Sequence, residues 1–170
     1  MKVSILLSAV LLTLIGSGCS LKQPQSAAEF RKQAPGAFLA TKDTYIVNRP
    51  YSKVSSAFKK QAPKCLSGRI RTESRTNTSY QVIVTKYTPT VIVGKNKTEL
   101  HLQQLHEQGV MNVSKVPEKG YFMMVIDAMP ESNSKTRIDY YGPSMGFDNI
   151  TKAIKGWATG KNMGCPDLTK

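Results

Sequence analysis

The feature that most constrains the fold of this 170-residue chain is residues 121–128, a run in which almost every side chain is apolar. On an extended strand, successive side chains point to opposite faces of the sheet. One face would then carry Phe122, Met124, Ile126 and Ala128. Because the other face is apolar as well, the run predicts a central strand that is covered on both sides by other elements.

Segments with alternating apolar and polar residues surround this run, and they predict additional strands. These strands are expected at residues 44–48, 68–74, 80–87, 100–104 and 136–141, with an edge extension at 90–93. A helix that opens at Pro50 should end at Ala62, because a proline disfavours helical geometry in the residue before it. A final helix is predicted over residues 145–159, with a buried stripe and Gly160 as its stop.

The order of these elements is strand, helix, several antiparallel strands and helix. It predicts an α+β fold: an antiparallel meander sheet with a helix after the first strand and a long C-terminal helix. This arrangement resembles the helix-grip architecture.

The N-terminus contains a 13-residue apolar run, residues 3–15, behind the single charged residue Lys2. A run of this length is too short to span a bilayer and is typical of a signal-peptide core. The run is followed by the small residues 16–18 and then by Cys19. This ending resembles the lipobox of bacterial lipoproteins, although Gly16 stands where that motif usually has Leu. The alternative is an ordinary secretory signal with a chance cysteine.

The resemblance implies a small Gram-negative cell-envelope lipoprotein of a family without assigned activity. Cys19 would be acylated, and Ser20 in place of Asp goes with sorting to the outer membrane in such proteins, facing the periplasm. Residues 1–18 would be the signal peptide, residues 19–42 the lipidated cysteine and a tether with one helical turn near 27–32, and residues 43–170 a single domain. The endings 153–160 and 164–167 match such domains more loosely.

The other two cysteines, Cys65 and Cys165, form an even pair in a compartment that favours oxidation, so we expect a disulfide between them. The alternative is two buried free thiols. A metal site is less favoured, because neither cysteine has a partner at ligand spacing.

The formal net charge is +13, and its distribution is uneven. Residues 20–97 hold 15 Lys/Arg and 3 Asp/Glu, whereas residues 98–170 hold 8 of each. The basic face predicted on the first helix and the next strand consists of Lys53, Lys59, Lys60, Lys64, Arg69, Arg71 and Arg75. Such a face could bind anionic lipid or lipopolysaccharide, or it could be an ordinary solvated surface. Nucleic acid is not an expected partner, because few aromatic residues accompany the basic ones.

Two features suggest catalysis and fail on inspection. Residues 142–146 match the G-x-S-x-G motif around Ser144, but that motif needs a histidine later in the chain, and none follows His106. Ser144 is better interpreted as a helix N-cap. His101 and His106 are five residues apart, which on a strand places them on opposite faces, so we interpret both as surface polar residues.

We therefore expect a protein that is not an enzyme and that has a binding or scaffold role in the envelope, with envelope proteins among its partners. An alternative is a carrier of an apolar ligand or lipid in a cavity between the sheet and the long helix. The residues that could line it are Tyr80, Phe122, Met124, Tyr140 and Trp157. An envelope hydrolase is the least favoured function.

Overall fold

A computed structural model describes residues 23–76, 80–107 and 116–169, apart from the side chain of Gln81. Three α-helices and six strands make up this part of the chain. In chain order they are α1 (Ala27–Gln33), β1 (Ala40–Val47), α2 (Tyr51–Leu66), β2 (Gly68–Arg75), β3 (Tyr80–Val93), β4 (Thr98–His106), β5 (Tyr121–Pro130), β6 (Thr136–Pro143) and α3 (Asp148–Thr159). A short 3-10 helix, Ala34–Gly36, follows α1.

The six strands form one antiparallel sheet in the order β1-β6-β5-β4-β3-β2. Strands β2 to β6 are a meander, and β1 joins its last strand, so the predicted α+β class with a helix after the first strand and a C-terminal helix is confirmed. Ala40 is paired with Pro143 at one end of the sheet, which we call the Ala40 end. The opposite end, where Gly94 connects β3 to β4, is the Gly94 end.

Helices α2 and α3 pack on the same face of the sheet, which we call the helix face. The stripe predicted for the last helix is buried there: Ile150, Ala153, Ile154 and Trp157 are at most 3% exposed. These side chains meet Phe58 of α2 and Leu102 of β4 in one apolar core. Gly160 ends α3 in the left-handed conformation with φ 86°, as predicted.

A β-bulge alters the face on which Phe122 lies. Leu102 is opposite Met124, but the next residue of β4, Gln103, is opposite Phe122, so Met123 is the extra residue on β5. The bulge moves Phe122 away from the helix face, where it was predicted beside Met124. It contacts the ring of His101 on the other face of the sheet, which we call the open face.

Both faces of β5 are covered, as the apolar run predicts. Met124 and Ile126 belong to the core under α2 and α3. On the open face, the N-terminal helix α1 contributes Phe30, whose ring centroid lies 6.2 Å from that of Phe122. The helical turn predicted near residues 27–32 is present as α1. It packs on the sheet, and β1 begins at Ala40, so the folded domain extends into the segment predicted as a tether.

Two prolines do not end the elements that contain them. Helix α2 continues through Pro63 to Leu66, beyond the predicted end at Ala62. Burial of Cys65 and Leu66 in the core offsets the hydrogen bond lost at the proline.

Pro89 lies within β3, where a strand end or bend was expected. The N–H of Glu107 donates to the carbonyl of Val84. In an antiparallel pair every second residue forms hydrogen bonds with the neighbouring strand, so from Val84 onward the even-numbered residues of β3 bond to β4. Pro89 is an odd-numbered residue, so its nitrogen points away from β4 and toward the position of β2. The pairing of β2 with β3 ends at Gly68 and Tyr87, so no β2 residue lies opposite Pro89 and its missing N–H costs no ladder hydrogen bond.

The predicted disulfide is present. The Sγ atoms of Cys65 and Cys165 lie 2.03 Å apart, across a sequence separation of 100 residues. Cys65 is in the last turn of α2, and Cys165 follows α3 by a few residues. The bond ties the C-terminal segment to the end of α2.

Candidate functional site

The most organised polar site is on the open face, where α1 crosses β4 and β5. We call it the ion-pair cluster, and it comprises Arg31, Lys97, Glu99, His101 and Asp127. The Arg31 guanidinium donates two hydrogen bonds to Asp127, from Nε to Oδ2 at 2.8 Å and from Nη2 to Oδ1 at 2.7 Å. It also donates to Glu99. Lys97 Nζ lies 3.1 Å from Glu99 and 3.4 Å from Asp127.

Two pleated strands and a helix position these groups. Glu99 and Asp127 are directly paired across β4 and β5, so their carboxylates lie on the same face of the sheet. Two like charges at this position would repel each other without cations between them. Arg31 reaches them because α1 begins at the N-cap Ser26, whose Oγ accepts a hydrogen bond from the Glu29 N–H at 3.2 Å.

Hydrogen bonds within the cluster, which oppose the effect of burial, determine the ionisation of Glu99 and Arg31. Burial raises the pKa of Glu99, but hydrogen bonds from Arg31, His101 and Lys97 outweigh this effect and lower the pKa to about 2. Burial also lowers the pKa of Arg31, but its bonds to Asp127 and Glu99 raise it to above its ordinary value. At neutral pH, ion pairs between Arg31 and the carboxylates of Glu99 and Asp127 therefore hold α1 on the sheet.

The histidines are only partly where the sequence placed them. His101 and His106 lie on opposite faces of the sheet, as predicted. The interpretation of both as surface residues is wrong for His101, which is 7% exposed and lies with Nε2 2.9 Å from Glu99 Oε2. His106 Nδ1 lies 3.0 Å from the Thr85 hydroxyl.

In the described part of the chain, no three His, Cys, Asp or Glu residues are grouped so as to hold a metal ion.

The residues of the predicted basic face do not form one face. Lys53, Lys59, Lys60 and Lys64 are exposed on the outer side of α2, which covers the helix face. On β2, Ile70 packs toward the core under α2. Its neighbours Arg69 and Arg71 therefore point to the open face, and Arg75 follows by the same alternation. The sheet separates the four lysines from the three arginines.

Two arginines of β2, Arg69 and Arg71, take part in exposed ion pairs. Arg69 lies 2.6 Å from Glu107, and Arg71 lies 2.9 Å from Glu73. Arg69 and Arg71 flank an open hollow together with Val82 and Val84 of β3. Cation and apolar surface are thus adjacent on this hairpin.

The five residues proposed to line a ligand cavity do not all lie in one place. Met124, Tyr140 and Trp157 belong to the apolar core. Phe122 is on the open face because of the bulge, and Tyr80 is 58% exposed on the β2–β3 hairpin. A cavity with this lining is therefore not formed.

Ser144 lies in a bend between β6 and α3. Its N–H donates to the carbonyl of Leu39 at 2.9 Å. The prediction that Ser144 caps the last helix is wrong, because α3 begins at Asp148 with Phe147 in the N-cap position. The motif also follows an antiparallel strand, whereas the nucleophile elbow belongs to a mostly parallel sheet.

Cys19 and the signal peptide predicted over residues 1–18 lie outside the described residues. Among the helices that are described, none has both the length and the apolar character needed to cross a membrane. No protein-family model matches this sequence, and no curated protein is significantly similar to it.

One signal for the ion-pair cluster was present in the sequence. Asp127 interrupts the apolar run 121–128, and a carboxylate in a covered strand needs a partner. The identity of that partner could not be deduced, because Arg31 is 96 residues away.

Proposed function

We propose that this protein is a lipoprotein anchored through Cys19 in the outer membrane, where it faces the periplasm and has a non-catalytic binding or scaffold role. The observation that carries the proposal is the signal-like apolar run 3–15, which is followed by three small residues and Cys19. The folded domain begins a few residues later. Helix α1 starts at Ala27 and is bound to the sheet through Arg31. The proposed anchor is thus joined to a folded domain by a short segment.

The polar groups support a non-catalytic role. His101 and His106 both have side-chain partners in the sheet. Ser144 lies in a bend, and no histidine follows it in the sequence. The charges of the ion-pair cluster satisfy one another. A scaffold that presents surfaces to other molecules accounts for these features.

The partners that we propose are the membrane, through the lipid on Cys19, and anionic lipid or lipopolysaccharide, through the exposed basic residues. Envelope proteins are proposed as further partners, and nucleic acid is not. Each basic side chain near an anionic leaflet contributes about 1 kcal/mol. The division of the basic residues between two surfaces means that one flat bilayer cannot contact all seven at once.

The test is mass spectrometry of the protein purified from the membrane fraction of a Gram-negative host. We expect the N-terminal peptide to start at Cys19 with acyl chains, and Cys19→Ala to abolish the modification and release the protein. A control is Ser56→Ala, an exposed position on α2, which changes the folded domain without touching the proposed anchor. An unmodified Cys19 in membrane-associated protein would refute the proposal.

A scaffold role is tested separately, by cross-linking in intact cells followed by purification in detergent. Reproducible envelope-protein partners that are lost in Cys19→Ala would support it. Recovery of the protein with bound lipid and without a protein partner would favour a carrier instead.

A further inference from the structure

Three apolar side chains are exposed together at the Ala40 end of the sheet. Phe38 is 92% exposed, Leu39 is 48% exposed and Met145 is 60% exposed. The hydrogen bond from the Ser144 N–H to the Leu39 carbonyl places the two segments side by side. We call these three residues the apolar tip.

The backbone of the tip is held in an unfavourable conformation. Leu39 has φ 62°, the left-handed region, which costs a residue with a side chain about 1–2 kcal/mol. Single exposed apolar residues are common on proteins. Here, however, the exposed residues are close together and one of them is strained, and such strain persists where the surrounding structure fixes it.

The described chain begins at the same end. Gln23 and Pro24 line a hollow together with Ala37, Ala40 and Phe122. Cys19 precedes Gln23 by four residues, and four residues span at most about 14 Å. A bilayer that holds a lipid on Cys19 therefore lies within that reach of the first residues of the domain, beside the apolar tip.

Basic residues occupy the other edge of the same end. The registered pairs of β4 with β3 stop at Thr85, so residues Tyr80 to Val84 of β3 and the paired part of β2 extend further toward the Ala40 end. This hairpin carries Arg71 and Arg75, both exposed, with Glu73 between them and paired with Arg71, and the exposed Tyr80. Edge strands β1 and β2 are five strand spacings apart, or about 24 Å.

We infer that the Ala40 end of the sheet lies on the bilayer, with the apolar tip inserted at the level of the headgroups and the β2–β3 hairpin against anionic phosphates. This inference rests on the proposed lipid anchor at Cys19. Apolar side chains at the interface and basic residues above it are the combination that binds peripheral proteins to anionic lipid. The lysines of α2 are exposed on the helix face, across the sheet from Arg71 and Arg75.

The experiment uses the full-length lipidated protein, reconstituted in vesicles of phosphatidylethanolamine, phosphatidylglycerol and a phosphatidylcholine with brominated chains. Phe38→Trp places a fluorophore at the tip, and Ile92→Trp is the matched control, because Ile92 is 51% exposed near the Gly94 end. Trp157 is 3% exposed and contributes equally to both variants. Bromines quench a tryptophan that enters the interface.

We expect bromine to reduce the added fluorescence of Phe38→Trp about twofold or more and to leave Ile92→Trp unchanged, since interfacial side chains reach about 5–10 Å into the headgroup and acyl boundary. Equal quenching of both variants, or none in either, would overturn the inference if mass spectrometry shows lipid on Cys19. Absence of that lipid would instead refute the proposed function, and this inference with it.

A second comparison tests the role of the hairpin. In the Phe38→Trp background, Arg71→Gln with Arg75→Gln removes the same charge as Lys59→Gln with Lys60→Gln on α2. We expect the arginine pair to reduce quenching and the lysine pair to leave it unchanged. Equal effects would overturn the contact between the hairpin and the phosphates.

Discussion

Arg31→Met should reduce the free energy of unfolding by about 2–4 kcal/mol. The substitution keeps a long side chain against the sheet but removes the guanidinium from Asp127, whose side chain is 5% exposed. Breaking a buried ion pair in this way costs about 3–5 kcal/mol, because one charge stays buried without its partner. Lys97, 3.4 Å from Asp127, compensates part of this loss.

The matched control is Arg69→Met. Arg69 also pairs with a carboxylate, that of Glu107, but its side chain is 65% exposed. Exposed pairs contribute about 0–1 kcal/mol, so this variant should unfold nearly as the native protein does.

Two measurements together test the reasoning. Urea unfolding gives the change in global stability, and hydrogen exchange shows whether the amides of α1 lose protection before those of β5. We expect early exchange in α1 for Arg31→Met alone. If Arg31→Met and Arg69→Met had equal effects on stability and on exchange in α1, the ion-pair cluster would not be what holds α1 on the sheet.

Three further predictions follow from individual residues. The pKa of Glu99 is about 2 in the folded protein, against 4.5 as its ordinary value, so the stability that its ionisation contributes is present above pH 4.5 and is lost as the pH falls toward 2. After allowance for solvent screening of a side chain that is 23% exposed, we expect acid titration to lower the free energy of unfolding by about 2 kcal/mol, and by less in Glu99→Gln. Pro63→Ala should stabilise the protein by about 2 kcal/mol in thermal unfolding, since the restored helical hydrogen bond exceeds the entropy gained by the unfolded chain. Cys165→Ser should destabilise it by about 2–5 kcal/mol, and equal melting of oxidised and reduced protein would contradict this.

The sequence predicted the elements whose side-chain pattern is regular and local. The stripe from Ile150 to Trp157 has helical spacing, and the meander follows from alternating segments joined by short connections. The disulfide followed from counting, since Cys65 and Cys165 were the even pair. These inferences need only the residue types and their spacing.

The remaining features depend on contacts between distant parts of the chain. The bulge at Met123 has no glycine or proline to mark it, so Phe122 was placed on the wrong face. The lysines of α2 and the arginines of β2 each lie on the polar side of an amphipathic element, but neither pattern indicates that the two sets are on opposite faces of the sheet. For α1, the sequence predicts the helical turn near residues 27–32, and the pair Ser26 and Glu29 is a capping signal for its start, but nothing in the sequence indicates that the helix packs on the sheet.

The ion-pair cluster raises the question of what charged groups provide here that apolar ones would not. Helix α1 itself contains no buried residue, so its position depends strongly on Arg31. Apolar replacement of a complete buried ion pair is often neutral or stabilising. The triple variant Arg31→Met, Glu99→Leu and Asp127→Leu should therefore unfold within about 1 kcal/mol of the native protein, although Arg31→Met alone is costly. Because apolar contacts are not directional, we expect the amides of α1 to exchange faster in the triple variant at equal global stability. Native protection of α1 in that variant would show that packing alone sets the position of the helix.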